Sequence, residues 1–236
     1  SLTLTAPVLA IRSLIRGGIR TWLNVFVLSL AYVAIILGQG FNEGILHQVS
    51  DAMIRSEVGQ GQLWHRNYDP FDPLSLDEAY GPMPLAALEK TRSGEAAAIL
   101  ATRGTIYPDG RIAPVIIKGI DPRQRVLELP LAALEQSGES IPALIGARMA
   151  ASSRLAIGDE VVLRWRDANG AFDARDIRIV EIMKTPVQSI DIAHVWLPLS
   201  TLRDMMRVDP ASASIVVNGN PDTSLMAPGD WVFRDH

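Results

Sequence analysis

The longest apolar segment of the chain lies close to its beginning. Residues 22–41 contain no Asp, Glu, Lys or Arg. A helix of that length is about 30 Å long, which matches the hydrocarbon core of a bilayer. Asn24, Ser29 and Gln39 interrupt the run, and such polar side chains are tolerated in a membrane where they face other helices. The pattern therefore predicts a transmembrane helix over residues 22–41.

Two other interpretations of this segment stay open on the pattern alone. A cleaved signal peptide has an apolar region of about 7–15 residues followed by a small-residue cleavage site, whereas this run is longer and the sequence GQGFNEG at its end offers no such site. A buried helix of a soluble core is the second alternative. The length of the run and its lack of charge favour the membrane.

Three arginines, Arg12, Arg16 and Arg20, precede the apolar run at four-residue intervals. This spacing places them on one face of a helix and predicts an interfacial helix that lies on the membrane over residues 1–21. Since basic residues favour the cytoplasmic side, we expect the N-terminus in the cytoplasm and the chain after the span on the far side. Trp22 is expected to anchor the membrane interface together with the arginines.

After the apolar run, the chain consists of short segments with helical or alternating periodicity. Apolar residues at helical spacing predict a stalk helix over residues 42–60. The Pro-Asp-Gly turn at 108–110 and the Asn-Gly pair at 169–170 each separate two strand-like runs and predict hairpins. Thr201 followed by Asp204 predicts the capped start of a helix. The expected fold class is therefore α+β, with a membrane helix and stalk followed by a mixed domain of many short strands and few short helices.

Charge separates the beginning of the chain from the remainder. The net charge is −4, and the first 42 residues carry +3, which leaves −7 for the rest. Nucleic acid is not an expected partner, because binding to phosphates needs a basic surface. The chain has no cysteine, which excludes a disulfide framework, a thiolate metal site and a cysteine nucleophile.

Candidate catalytic residues are few. The sequence has neither a P-loop motif nor a G-x-S-x-G motif, and its four histidines are too scattered for a metal site. Ser189, Asp191 and His194 leave a hydrolase triad as an alternative, although a turn at Asp191 and a strand beginning at His194 explain them better. Asp159 follows a glycine and is expected in the tight turn that opens a strand. No catalytic, metal or cofactor site is therefore predicted in this chain.

Four tryptophans lie in or beside predicted strands. A ligand-stacking role is one interpretation, but packing in the core or at a domain edge is favoured, because a large aromatic side chain gains most from burial. These tryptophans are Trp64, Trp165, Trp196 and Trp231.

The order of several motifs resembles that of permease subunits of ABC transporters in the MacB, LolC, LolE and FtsX group. The segment LAIRSLIRGGIRTWLNVFVLSLAYVAIILGQGF is similar to the start of those subunits. Further resemblances follow in order along GQLWHRNYDP, IKGIDPRQRV, ALIGARMAASSRLAIGDEVVLRW, DIAHVWLPLSTLRDMM and DWVFRDH. The lipoprotein-releasing branch of LolC and LolE is the one that the chain resembles most. The other three membrane helices of the family do not follow in this sequence, so we interpret it as an N-terminal fragment.

The resemblance implies a division of the chain after the stalk. A Porter-like part is expected over residues 61–142, and a small β-rich Sabre-like insert over residues 143–200. Residues 201–236 would return to the Porter-like part and lead toward a second membrane helix. The implied location is the bacterial inner membrane, with the main domain in the periplasm.

The resemblance also implies partners and a mode of action. ATP and Mg²⁺ would be bound by a separate ABC ATPase subunit, and a second permease copy or a paralogue would complete the membrane part. The chain would transmit ATP-driven motion to its periplasmic domain for lipoprotein release or export, with a periplasmic carrier or a lipoprotein as a further partner. The alternative is a single-pass, membrane-anchored binding or scaffold module without ATPase coupling.

Two more expectations concern contacts with the transported molecule. Ile36, Phe41 and Ile45 lie at the far end of the predicted span and are candidate contacts for lipid or substrate. The connection RDANGAFDAR is short, whereas one lipoprotein-releasing subunit has a long hairpin there that hooks the carrier. We therefore expect this chain not to form the hook contact.

Overall fold

The computed structural model describes residues 18–53, 61–70, 72–136, 138–184, 193–219 and 229–234. The chain divides into two compact units, Ser1–Ser50 and Asp51–His236. The first unit contains most of a long helix, and the second contains all the strands described below.

Helix α1 covers Gly18–Met53 without interruption. This confirms helical backbone across residues 22–41 and in the first part of the predicted stalk, whereas residues 54–60 lie outside the described part of the chain. Among the residues that the structure describes, no helix is both long enough and apolar enough to cross a membrane. The predicted span over residues 22–41 stays a prediction. Residues 1–17 of the predicted interfacial helix lie outside the described part of the chain.

Within its described residues, the second unit contains eleven strands and three further α-helices. Most strands are formed by short runs of β-branched and aromatic residues, which fit a pleated surface. The strands are β1 (Gln62–His65), β2 (Gly81–Pro82), β3 (Ala96–Ile106), β4 (Ala113–Ile120), β5 (Ile141–Gly146), β6 (Glu160–Arg166), β7 (Phe172–Met183), β8 (His194–Pro198), β9 (Ser212–Ala213), β10 (Ile215–Asn218) and β11 (Trp231–Arg234). The helices are α2 (Leu85–Ser93), α3 (Ala147–Ser153) and α4 (Leu199–Met206).

Six of these strands close into a barrel. The nine-stranded sheet has the order β11-β1-β10-β3-β4-β8-β5-β7-β6, and β3 also pairs with β6. This additional pairing closes the ring β3-β4-β8-β5-β7-β6. Strand β3 is long enough to pair with two strands along the same edge. Its residues 96–99 pair with β10, and its residues 104–106 pair with β6. Strands β10, β1 and β11 extend the sheet beyond the barrel as an antiparallel layer.

Both predicted hairpins are confirmed. Strands β3 and β4 pair antiparallel across the turn at 108–110, and β6 pairs antiparallel with β7 across the turn at 169–170. The other ring contacts join strands that are distant in sequence. Strand β4 runs parallel to β8, and β5 runs parallel to β7.

The core follows from the alternation of side chains along the barrel strands. In β6, Val161, Leu163 and Trp165 are buried, and the residues between them are exposed. Since successive side chains of a strand point to opposite faces, one face of β6 lies in the core and the other faces solvent. Trp196 belongs to a second apolar cluster that includes Leu127 and Leu144.

The packing predicted for the tryptophans is confirmed for three of them. Trp165, Trp196 and Trp231 are buried. Trp64 is half-buried on β1 in the open layer, where its ring lies edge-on to Tyr68 with 5.1 Å between the ring centroids. All four tryptophans therefore pack against the fold.

The predicted capping of helix α4 is wrong. The helix begins at Leu199, its N-cap is Pro198, and no side chain caps it. Strand β8 runs directly into the helix through Pro198, so Thr201 already lies in the first turn and cannot act as the cap.

The expected boundary between residues 142 and 143 falls inside β5, which covers Ile141–Gly146. The barrel takes β3 and β4 from the Porter-like range and β6, β7 and β8 from the Sabre-like range. In the last segment, β11 adds to the open layer beside β1. One sheet thus runs through all three ranges, and their assignment as Porter-like and Sabre-like parts stays a prediction.

Candidate functional site

A groove crosses the barrel at the seam where β3 pairs with β6. Its cavity volume is about 560 Å³, which lies in the usual range of small-molecule sites. We call it the seam groove. Its lining is mostly apolar but includes three arginines and one aspartate. The lining residues are Pro73, Asp77, Arg103, Gly104, Thr105, Pro114, Val115, Ile116, Arg164, Trp165, Arg166, Phe172 and Ala193.

The position of two groove arginines follows from the sequence of β6. In this strand, Arg164 and Arg166 alternate with buried residues and are exposed. Residues two apart in a strand share a face and are about 7 Å apart along it. The strand therefore presents two guanidinium groups side by side along the seam groove.

The opposite wall carries an ion pair. A short 3₁₀ turn at Pro73–Asp77 begins where Leu74 N donates to Asp72 Oδ1 at 2.9 Å. At the end of this turn, Asp77 accepts two hydrogen bonds from Arg103, from Nε at 2.9 Å and from Nη2. The hydrogen bond with Asp77 raises the pKa of Arg103 above its usual value. This pair neutralises one of the three groove arginines.

The other two arginines are held by contacts that leave their charge uncompensated. The guanidinium carbon of Arg164 lies 4.4 Å from the centre of the Phe172 ring. Arg166 Nε donates to the carbonyl oxygen of Gly170 at 3.1 Å. Across the part of the chain that the structure describes, no carboxylate forms an ion pair with Arg164 or Arg166. The seam groove thus has a net positive lining.

A buried aspartate fixes the turn between β6 and β7. Asp167 Oδ1 accepts hydrogen bonds from the backbone N–H groups of Asn169 at 2.9 Å and Ala171 at 2.8 Å. Its Oδ2 lies 3.5 Å from Arg207 Nε. Because Gly170 has φ +82°, the turn needs a residue that tolerates the left-handed region. The turn in this way holds the carbonyl group that positions Arg166.

A second cavity of about 440 Å³ adjoins the seam groove, and both are lined by Asp77 and Arg166. Tyr80 lies in this second cavity. Burial raises the pKa of Tyr80, and the carboxylates of Asp77 and Asp167 raise it further. The phenol of Tyr80 therefore stays protonated and keeps a hydrogen-bond donor beside the acidic groups.

The comparison with known families decides the identity of the domain. A family model described as the MacB-like periplasmic core domain matches residues 21–227. The chain belongs to this family. The resemblance to the MacB, LolC, LolE and FtsX group is thus confirmed for the MacB-like domain. The assignment to the LolC and LolE branch stays a prediction.

One solved structure gives a more distant comparison for the MacB-like domain. It is the extracellular domain of the noncanonic ABC-type transporter YknZ from Gram-positive bacteria. The two chains are 13% identical, the similarity covers 70% of this chain and 84% of that one, and the TM-score is 0.40. No curated protein matches this sequence.

The predicted membrane anchors are only partly described. Arg12 and Arg16 lie outside the described residues. The backbone of Arg20 belongs to α1, but its side chain lies outside the described part. Trp22 is 61% exposed on the same helix. Their role at a membrane interface stays a prediction.

The predicted contacts for lipid or substrate also lie on α1. Ile36 is 49% exposed. The side chains of Phe41 and Ile45 lie outside the described part of the chain. These three residues belong to the first compact unit, and their role stays a prediction.

The hydrolase alternative receives no support from the described part of the chain. Ser189 and Asp191 lie outside it, and His194 is buried at the start of β8, next to Ile116 of β4. Asp159 is confirmed as a turn residue, since its Oδ2 accepts from Ala156 N at 2.8 Å. The residues that the structure describes include no group of three His, Asp or Glu side chains placed to hold a metal ion.

The seam groove was not predicted from the sequence. The segment EVVLRWR carries a usable signal, because its alternation places two arginines on the solvent face of a strand. Asp77 and Phe172 give no comparable signal. They join the groove through the packing of a 3₁₀ turn and through the register of β7 on β6.

Proposed function

We propose that this chain is part of the permease subunit of a MacB-type ABC transporter. In this role it transmits motion, driven by a separate ATPase subunit, to its MacB-like domain. The chain itself would not hydrolyse ATP. The family match over residues 21–227 supports the transporter class.

The observation that carries the membrane part of the proposal is the surface of α1 between residues 22 and 37. Large apolar side chains are exposed there at twelve of sixteen positions, on all sides of the helix. A helix that is apolar all round is stable only when apolar surroundings cover it, as in a large core or a bilayer. The exposed residues are Trp22, Leu23, Val25, Phe26, Val27, Leu28, Leu30, Tyr32, Val33, Ile35, Ile36 and Leu37.

Together with the uncharged run over residues 22–41, this surface supports a span of the bacterial inner membrane. The three arginines before it favour a cytoplasmic N-terminus. The MacB-like domain would then lie in the periplasm. Since α1 is one unbroken helix to Met53, displacement of its cytoplasmic end would be carried along a single rigid element.

Coupling to ATP hydrolysis needs two global states that the ATPase and the periplasmic side stabilise differently. We propose that the second permease copy or paralogue and the ATPase subunit supply the contacts that change between these states. Lipoprotein release or export is the transport function that we propose on the resemblance to the LolC and LolE branch. Ile36, Phe41 and Ile45 would contact the lipid or substrate, and a lipoprotein or its carrier would be the periplasmic partner.

A topology experiment tests the membrane placement. Alkaline phosphatase, which is active only outside the cytoplasm, and a cytoplasm-specific fluorescent protein would each be inserted after Val58 in the full-length gene. We expect phosphatase activity and no fluorescence after Val58, and the reverse for insertions before Arg12. Fluorescence after Val58 would contradict the proposed orientation.

Copurification of the full-length protein separates the proposal from the scaffold alternative. We expect an ABC ATPase to remain bound through purification in mild detergent and to hydrolyse ATP in the complex. A correctly oriented protein that purifies without any ATPase would instead support a single-pass scaffold module.

A further inference from the structure

We propose that the seam groove binds an amphiphilic anion, with its apolar body on the groove lining and its acidic head group at Arg164 and Arg166. The proposed ligand is a small molecule with an alkyl or aryl body and a carboxylate or a phosphate. The proposal concerns the surface of the barrel and does not depend on the membrane placement of α1.

The apolar part of the groove fits the body of such a ligand. Pro114, Val115 and Ile116 of β4 line it together with Pro73. At the rim, the ring of Phe172 is 65% exposed and lies against the guanidinium group of Arg164. An apolar cavity of this size with a few convergent polar groups is the usual form of a small-molecule site.

The charges of the groove select an anionic head group. Arg103 is neutralised by its bidentate contact with Asp77, whereas Arg164 and Arg166 have no carboxylate partner among the described residues. Guanidinium groups bind carboxylates and phosphates through paired, charge-assisted hydrogen bonds. A cationic ligand is disfavoured by the same two charges, and an uncharged ligand leaves them without a partner.

Both guanidinium groups are held in place before a ligand arrives. The ring of Phe172 supports Arg164 from one face, which leaves its N–H edges available. Arg166 uses only Nε for its bond to Gly170, so its remaining N–H donors are available. A Cβ on Gly170 would lie 2.9 Å from Arg166 Nη2, which shows how closely the turn confines this side chain. Such preorganisation reduces the entropy lost on binding.

The test uses three probes with the same twelve-carbon tail and different heads: dodecanoate, dodecanol and dodecyltrimethylammonium. Since the chain has no cysteine, a single Ala174→Cys variant can carry a polarity-sensitive dye beside the groove. Ala174 is exposed and pairs with Arg164. The same dye on a Glu89→Cys variant, on the exposed side of α2, reports binding of the probes to the protein surface away from the groove. The chain Ser1–His236 would be studied in nanodiscs of zwitterionic lipid, below the micelle concentration of each probe.

We expect a saturable dye response to dodecanoate at position 174 and none at position 89. Dodecanol and dodecyltrimethylammonium should bind at least about tenfold more weakly, since charge-assisted hydrogen bonds to the head group are lost. Equal binding of dodecanoate and dodecanol, or equal responses at positions 174 and 89, would overturn the proposal.

Two further anions separate the contribution of the acidic head group from that of the apolar body. Dodecyl phosphate should bind as dodecanoate does, whereas inorganic phosphate alone should bind at least about tenfold more weakly, since it buries no apolar surface. Inorganic phosphate that binds as tightly as dodecyl phosphate would overturn the role of the apolar lining.

Variants locate the site. Arg164→Gln and Arg166→Gln should each weaken dodecanoate binding by about tenfold. Arg175→Gln is the matched control, because Arg175 is exposed on β7 but does not line the groove. The double variant R164E/R166E should reverse the preference and bind dodecyltrimethylammonium more tightly than dodecanoate. A preference for dodecanoate that survives the double reversal would rule out the proposed site, because both head-group positions would then carry a negative charge.

Discussion

At the scale of single residues, side chains act on this fold mainly by fixing short turns and packing contacts. Asp167 satisfies two backbone N–H groups of a hairpin turn from a buried position. Asp159 fixes the turn before β6 in a similar way. Asp77 connects a 3₁₀ turn to a barrel strand through Arg103. Asp167 and Asp159 thus satisfy backbone N–H groups that no regular ladder satisfies.

Replacing Asp167 tests this role. Asp167→Ala leaves the N–H groups of Asn169 and Ala171 without their acceptor, so we expect a loss of about 1–3 kcal/mol in the free energy of unfolding. Asp167→Asn keeps an oxygen at the acceptor position and should lose clearly less. Urea denaturation followed by circular dichroism measures both. If the two variants lose the same stability, the hydrogen bonds from the turn are not what Asp167 contributes.

At the scale of elements, alternation and close approach decide where each strand and helix lies. The sequence of β6 alternates buried and exposed residues over its whole length, and this places the groove arginines opposite the core. Helix α4 packs directly on β4 at Gly119, where a Cβ would lie 2.9 Å from Leu202 Cδ2 and 3.3 Å from Leu199 Cα. The absence of a side chain at Gly119 therefore permits this helix–sheet contact.

Gly119→Ala should force α4 away from β4. We expect the free energy of unfolding to fall by about 1–3 kcal/mol, the usual cost of overpacking a core. Gly138→Ala is the control, because its nearest neighbour would be Ser140 O at 3.8 Å. Thermal and urea unfolding of both variants measure the difference. Equal stabilities would mean that α4 moves at no cost.

At the scale of the whole second unit, one sheet connects the closed barrel to the open layer. Strand β3 belongs to both, because its two ends pair with β10 and β6. The apolar cluster around Trp165 also includes Leu63 of β1 and Trp231 of β11. Shared strands and a shared core couple the two regions energetically.

We therefore predict a single cooperative unfolding transition for the second unit. Trp165 and Trp196 report on the barrel, and Trp64 and Trp231 report on the open layer. Two double variants, W64F/W231F and W165F/W196F, leave one pair of probes each, with Trp22 common to both. Fluorescence of the two variants should give transitions that coincide with the loss of secondary structure in the same variant. A barrel that unfolds separately from the open layer would instead support two independent Porter-like and Sabre-like parts.

The sequence by itself determined those features that depend on neighbouring residues. The length and lack of charge of residues 22–41 predicted their helical backbone, and turn residues at 108–110 and 169–170 predicted the two hairpins. The ordered motifs indicated the MacB group, which the family match supports. These signals are local, because helix periodicity, strand alternation and turn chemistry are set by a few consecutive residues.

Only the tertiary structure decided which distant strands pair and what their pairing brings together. The parallel contact of β4 with β8 joins Ile116 to His194, and closure of the barrel joins Thr105 to Arg164. The capping pair predicted at Thr201 and Asp204 failed because β8 runs straight into α4. Burial of a common core favours one register of the distant strands. This gain must outweigh the entropy lost in closing the long loops between them. No short stretch of sequence contains that balance, so the barrel and its arginine-lined groove emerge only when the whole chain has folded.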